Sequence, residues 1–370
     1  MRAHGETSPH GPIIAVIGTG GLARAVCYAL AAATQPVRVL VLGRDPVKTA
    51  EICWISGARA IGTSDAPPAV TFQPVTVDLA AAGALAEALA EARPTAVLVA
   101  ASRQSPWERI NAPSAWTALI QRAGFGLTLP LQAVFAREAG RALAEHHPSG
   151  WLLNGCFPDA VNPALAGLGV APLCGIGNVA LTATGLQSAL SLPQQHRLQV
   201  LAHHLHLHSP PPGVEEVRAW IDGQPVPGVG DLLGRQRAAS RAELNHVTGF
   251  VAARLLTELL AGREVRANLP GPLGLPGGYP VRITADGPTP RVELNLPEQL
   301  SRAEAVAYNE HAARHDGVVI EDGRIHFTRT APGDLPSELS GGFPVTDLAE
   351  AAHCLAAFRD HLRDRAQGVP

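Results

Sequence analysis

Ile13-Ile14-Ala15-Val16-Ile17-Gly18-Thr19-Gly20-Gly21-Leu22-Ala23-Arg24 passes from an unbroken apolar segment through a glycine turn into an alanine-rich stretch that reads as helix to about Ala33. A short run with no polar break is the pattern of a parallel strand buried on both faces. Each small residue of Gly18-x-Gly20-x-x-Ala23 has a mechanical use. Gly18 allows the tight turn, Gly20 lets a diphosphate approach the backbone, and Ala23 keeps the helix close to the strand, with Thr19, Gly21 and Leu22 completing the turn. The unpaired amides of the helix's first turn and its dipole then favour an anion. The same turn without a ligand is only a tight corner. Its place after a strand, with a second strand following at the usual distance, favours a dinucleotide site.

That second strand is Val37–Leu42, followed by Gly43-Arg44-Asp45-Pro46-Val47-Lys48. An NAD-selective site usually has a carboxylate at this tip for the ribose hydroxyls. Here the tip carries Gly43 and Arg44, and a guanidinium suits a 2'-phosphate, so NADP is the expected cofactor and NAD the second choice. Alternatively Arg44 is a solvated loop residue and Asp45 caps the next helix. Further elements are read as a helix over 46–57, a strand over 70–78 ending at Asp78 beside the adenine, a helix over 80–92 and a strand over 95–101. The last of these strands delivers Ala100 and Ala101 to the ribose and nicotinamide. Alternating strand and helix indicate an α/β fold with a doubly wound parallel sheet. With its glycine turn, Arg44 and Val77-Asp78-Leu79, this half resembles saccharopine-dehydrogenase-type NAD(P)-binding Rossmann domains.

Composition sets outer limits. The chain has 370 residues, a formal net charge of -3 and 46% hydrophobic residues, which suits a soluble protein of two domains with neither a nucleic-acid nor a membrane partner. The five cysteines are scattered without a CxxC, arguing against a disulfide framework and for a reducing cytoplasm. Residues 1–11 are polar and read as a frayed terminus.

Past the fourth strand, the polar segment containing Arg103, Trp107 and Arg109 reads either as a lid bringing a cation to an anionic substrate or as a surface connection. A helix over 131–146 and a strand over 151–154 follow. From Asn154 the chain resembles the lactate and malate dehydrogenase superfamily, in which a strand ends in Asn-Pro and a Gly-x-Gly turn opens the helix joining the domains. The resemblance implies that Asn154 contacts substrate and nicotinamide, and that Gly175-Ile176-Gly177-Asn178 is the second turn. The family then places an Asp that orients the catalytic histidine and an Arg that clamps a carboxylate; this chain has Ala180, Leu181, Thr182 and Thr184.

Residues 197–208 read as a strand, and the family alignment puts His204 at the catalytic histidine, where an imidazole would act as general acid/base. The periodicity of a strand offers a second reading: His204, His206 and His208 on one face, about 6.5 Å apart per step of two, holding a metal with Cys174 as an extra ligand. Family 4 glycosidases, related by fold, use a Cys and a His in this way. A solvent-facing strand with loosely bonded histidines is the third reading. Later elements are a strand over 214–221 turning at Asp222-Gly223, a long helix over 238–260, a glycine-rich hairpin, and a last helix over 345–367 that covers the pocket or forms a dimer contact; the resemblance implies that the first half of the long helix lines the substrate pocket, with Asn245 and His246 either as candidates there or as a solvated polar pair.

The sequence thus indicates an NAD(P)-binding Rossmann domain over 12–155 and an α+β substrate and dimerisation domain over 156–370. The expected activity is NADP-dependent hydride transfer to or from a small keto, hydroxy or imino substrate by a cytoplasmic homodimer, with His204, Asn154 and Arg109 at the reaction centre. The alternatives are a metal- and NAD-dependent lyase or hydrolase of the family 4 glycosidase type, and a non-catalytic nucleotide-binding protein.

Overall fold

A computed structural model describes residues 11–63 and 65–365. Most of the leader read as a frayed terminus therefore lies outside the described residues, as does the last part of the final helix. The glycine turn sits at the middle of a six-stranded parallel sheet, ordered β3-β2-β1-β4-β5-β6, built from β1 (Ile13–Ile17), β2 (Val37–Gly43), β3 (Val70–Thr76), β4 (Ala96–Val99), β5 (Trp151–Asn154) and β6 (Cys174–Gly175). β1 pairs with both β2 and β4, and its side chains enter the core on alternate faces, Ile14 and Val16 on one and Ala15 and Ile17 on the other, so Ile14 to Ile17 are sealed from water. The strand order reverses between β1 and β4, and in such sheets the crevice at the carboxyl ends of these strands is where ligands bind. Gly18 closes this crevice at its base, donating its amide to the Leu42 carbonyl at 2.8 Å.

The chain after β5 forms three small antiparallel sheets: β7 (Leu198–Leu201) with β8 (Arg218–Ile221) and β9 (Gln224–Pro225), β10 (Val265–Pro270) with β11 (Gly278–Thr284) and β12 (Arg291–Leu294), and β13 (Val318–Glu321) with β14 (Arg324–Phe327) and β15 (Phe343–Pro344). A bridge between Ala202 and Gly278 joins the first two of these sheets. The central sheet reaches past residue 155, since β6 is its edge strand.

Two parallel helices bring the halves together. Helix Gly21–Leu30, rich in alanine, lies along helix Arg241–Leu260. A Cβ on Gly249 would stand 2.5 Å from the Ala25 backbone, so the close approach depends on that glycine. With Asn245 facing Gly21 and Gly249 facing Ala25, the two helices run in the same direction. Both N-termini therefore open on the same crevice. The final helix, Leu348–Arg365, packs on Leu129–His146 and Ala115–Ala123. Its Arg359 donates to the Arg103 carbonyl at 2.6 Å, and Arg363 pairs with the buried Glu108. The segment read as a lid is thus stapled to the C-terminal helix.

One sequence expectation fails outright. Residues 197–208 are not one strand: β7 stops at Leu201, and His204–Leu207 form a 3-10 turn. Local bonds cap this turn. The His203 amide donates to His206 Nδ1 at 2.8 Å, the Leu205 amide to His203 Nδ1 at 3.2 Å, and the His204 amide to the Asp159 carboxylate at 2.9 Å. Histidine nitrogens as caps in place of Ser or Asp escape a periodicity reading. Among the described residues no helix is long and apolar enough to cross a membrane.

Candidate active site

The turn at His204 gathers chemistry from four distant segments. β5 ends in Asn154, whose fully buried amide donates to the Cys156 carbonyl and to Asn162 and accepts from the Cys156 amide. Asn154 therefore spends its polar atoms on shaping the loop after β5. That loop places Phe157 at φ +46, a left-handed conformation costly for a phenylalanine. It starts helix Pro158–Gly167 with Asp159 in the first turn, fully buried. Asp159 uses one oxygen on the His204 amide and the other on the Asn178 side chain at the start of the helix after β6. The rings of Phe157 and Phe125 pack on His204, with centroids 5.1 and 4.8 Å away.

The decisive partner comes from late in the chain. Asp316, the last residue of helix Arg302–Asp316, reaches His204 Nδ1 at 2.8 Å. A carboxylate can only accept, so Nδ1 carries the proton and Nε2 is left to exchange one. The His204 side chain retains 24% of its exposure while Asp316 keeps 8%, which leaves Nε2 reachable and the carboxylate covered. Burial opposes charge on His204, but the attraction of Asp316 and then Asp159 outweighs it and raises the pKa above the ordinary histidine value. A carboxylate at a helix C-terminus faces the negative end of the dipole. This unfavourable placement persists because the imidazole compensates it. Close glycine packing holds the joint: a Cβ on Gly124 would lie 2.3 Å from the Asp316 carbonyl, and one on Gly317 would lie 2.2 Å from the Ala123 carbonyl.

The histidine neighbours are structural. His203 is buried, with its pKa lowered by that burial, and its Nε2 finds no partner among the described residues. His206 bonds the Glu215 carbonyl at 2.9 Å, stacks on Tyr308, and is pushed down to about 4, mainly by burial. It borders a separate cleft of about 340 Å³ that also touches Arg218 and His311. His208 meets Arg241 at 3.1 Å. The expected metal face of His204, His206 and His208 does not exist, because a turn spreads their rings to different partners. Cys174 is fully buried in β6, its thiol pushed up to about 12 by burial. Among the described residues no group of three or more His, Cys, Asp or Glu is placed to hold a metal.

The glycine turn fits a diphosphate. A Cβ on Gly20 would meet nothing within 4 Å, so the backbone there is open, and Gly20 caps helix Gly21–Leu30 with no side-chain bond to its first amides. Gly18 is at φ +123 with Ala100 and Ala101 close against it, Ala23 and Leu22 pack inward, and Gly43 leaves the room that Thr19 occupies. Arg44 is exposed at the tip of β2, and Asp45 next to it caps the following helix through the Val47 and Lys48 amides. Asp78 is exposed and accepts from the Ala80 amide. Arg109 is exposed on the short helix Glu108–Asn111, whereas Arg103 lies near Glu138, under the C-terminal helix. Asn245 faces Gly21, while His246 points to solvent.

The fold is similar to that of malate dehydrogenase. The enzyme from Salinibacter ruber matches with a TM-score of 0.51 at 11% identity, over 82% of this chain and 95% of that one. Lactate dehydrogenase from Eimeria maxima, solved with NADH and oxamate, gives 0.49 at 15% identity over 82% and 91%. That from Cryptosporidium parvum, complexed with lactic acid and nicotinamide adenine dinucleotide, gives 0.45 at 11% identity over 97% and 99%. No protein-family model and no curated protein matches the chain.

Sequence reasoning singled out His204, the glycine turn and the second turn that contains Asn178, but missed Asp159 and Asp316. Asp316 had a legible signal, an acidic residue where a helix should end in a base, directly before the capping glycine Gly317. Asp159 had none, since Asp in a helix's first turn is ordinary.

Proposed function

We infer that this chain is an NADP-dependent oxidoreductase that transfers a hydride to or from a small keto, hydroxy or imino substrate. The observation that carries the reading is the His204–Asp316 pair, in which Nδ1 is held by the carboxylate and Nε2 is left without a bonded partner among the described residues. When bound, the nicotinamide supplies or accepts the hydride; the protein's part is proton transfer and positioning. In the reducing direction protonated His204 donates from Nε2 to the oxygen or nitrogen that gains charge, and in the oxidising direction the neutral ring takes that proton back. Asp316 holds the tautomer and favours the charged form, doing the orienting work that in lactate and malate dehydrogenases falls to an Asp after the second glycine turn.

Gly18, Gly20 and Gly21 would face the diphosphate, with Ala100 and Ala101 at the nicotinamide side and Asp78 toward the adenine. Arg44 would meet a 2'-phosphate, and this choice is favoured because Asp45, the carboxylate next to it in the chain, is engaged in capping. The saccharopine-dehydrogenase-type motifs of the first hundred residues serve here as the cofactor half, 12–155, with 156–370 supplying His204 and Asp316. We take the working form to be a cytoplasmic homodimer. The five cysteines are unpaired, in keeping with a reducing compartment. Val47, Trp54 and Ile61 form an exposed apolar stripe one heptad apart on helix Pro46–Gly62, which suits a self-complementary interface.

Nucleotide titration followed by NADPH and NADH fluorescence, then a screen of 2-keto acids for NADPH oxidation, tests the reading. NADPH should bind more tightly than NADH, and Arg44→Ala should erase that preference. His204→Gln should lower kcat/KM by about 10²- to 10⁴-fold with nucleotide affinity retained. A chain that binds neither nucleotide, or a His204→Gln variant with unchanged turnover, would refute it.

A further inference from the structure

Arg241 opens the 20-residue helix Arg241–Leu260 and is half-buried. Its guanidinium donates to the Leu207 carbonyl at 3.3 Å and meets His208 Nε2 at 3.1 Å, so it is tied to the turn that carries His204. Two neighbouring or comparably covered arginines have carboxylates: Arg237 is held by Glu216 and Arg363 by Glu108. Among the described residues Arg241 has none. Its only charged or polar side-chain neighbour in that contact set is a histidine, whose pKa is lowered by burial and then by Arg241 itself, with His204, Arg109 and Arg237 adding to the effect. A guanidinium removed from water without a counter-charge is costly, so such a group is retained where an anion arrives.

We propose that Arg241 receives the anionic group of the substrate, a carboxylate, and so supplies the clamp missing from the helix after Gly177. This rests on the oxidoreductase reading above. Helix register separates this anion from the cofactor's diphosphate. Asn245 is the residue facing Gly21, and Arg241 precedes it by one turn, about 6 Å further along the axis. That step carries the guanidinium beyond the glycine turn and toward His204 and His208. Arg237, already paired with Glu216, is left out of the site; Asp316 and Asp159 are occupied by His204 and Asn178. A substrate anchored by its carboxylate on Arg241 would present an adjacent carbonyl to His204.

Calorimetric titration with oxalate, in the presence and absence of saturating NADPH, tests the proposal on the full-length chain. Wild type should bind oxalate, and Arg241→Met should weaken it about 10- to 100-fold while the NADPH Kd stays within about threefold. Arg241→Lys should recover part of the loss, since it keeps the charge and lacks the fork; it also guards against a folding defect in the methionine variant. Three results would each overturn the assignment: no oxalate binding by wild type, unchanged oxalate affinity in Arg241→Met, or a parallel fall in NADPH affinity, which would place the guanidinium on the diphosphate. Should wild type bind no nucleotide, the oxidoreductase reading fails, yet the titration without NADPH still reports whether Arg241 holds the anion.

Discussion

Replacing Asp316 by Asn keeps the size of the side chain and removes its charge. Asp316 is 8% exposed and sits 2.8 Å from His204 Nδ1. A charge-assisted bond of this kind is worth about 1.5–3 kcal/mol, so Asp316→Asn should cost roughly 10- to 100-fold in kcat/KM. The pH profile gives the more specific readout. In wild type the carboxylate raises the His204 pKa against the opposing effect of burial. Reduction needs the protonated ring, so its rate persists below that raised pKa and falls as pH rises through it. With Asn at 316 burial is left with less opposition, and the fall should begin at lower pH. Stability should follow the same linkage: the pair's contribution is fully present below the ordinary histidine range and is lost as pH rises through the raised value. Steady-state kinetics of NADPH oxidation across pH, together with urea melts at two pH values, measure both effects. A limb that stays in place or moves to higher pH would refute the pairing as the source of His204's proton affinity.

Gly249→Leu should force apart helices Gly21–Leu30 and Arg241–Leu260, because even a Cβ there meets the Ala25 backbone at 2.5 Å; a loss of about 1–3 kcal/mol in urea unfolding, with weakened nucleotide binding, is expected. Arg363→Ala removes the cation from the 8%-exposed Glu108, and trypsin should then cut after Arg109 faster than in wild type, with stability lower by about 1–3 kcal/mol. Trp54→Glu places a charge in the exposed stripe of helix Pro46–Gly62; light scattering should show it shifting the chain toward monomer. Prolonged dialysis against a chelator should leave turnover unchanged, since the turn directs the rings of His204, His206 and His208 to different partners and, among the described residues, no group of three His, Cys, Asp or Glu is placed to hold a metal.

The apolar run of β1 and the glycines after it were legible because they answer to local rules: a strand covered on both faces excludes polar residues, and a turn that approaches a helix so closely excludes side chains. The same logic placed β2 and its basic tip. It misread residues 197–208, whose alternating histidines imitate a strand while their nitrogens serve as caps within a tight turn. Periodicity counts side chains and is blind to the bonds their nitrogens make.

Sequence by itself determined the doubly wound sheet and the position of the glycine turn, and it singled out His204 as a candidate. Tertiary structure alone decided what surrounds that histidine. Asp316 lies 112 residues away along the chain and becomes its partner because Gly124 and Gly317 let two helix ends touch. Arg241 reaches the same turn because Gly249 lets its helix lie flat along helix Gly21–Leu30. Contacts between segments so far apart depend on backbone closeness at a few glycines, which no local pattern records.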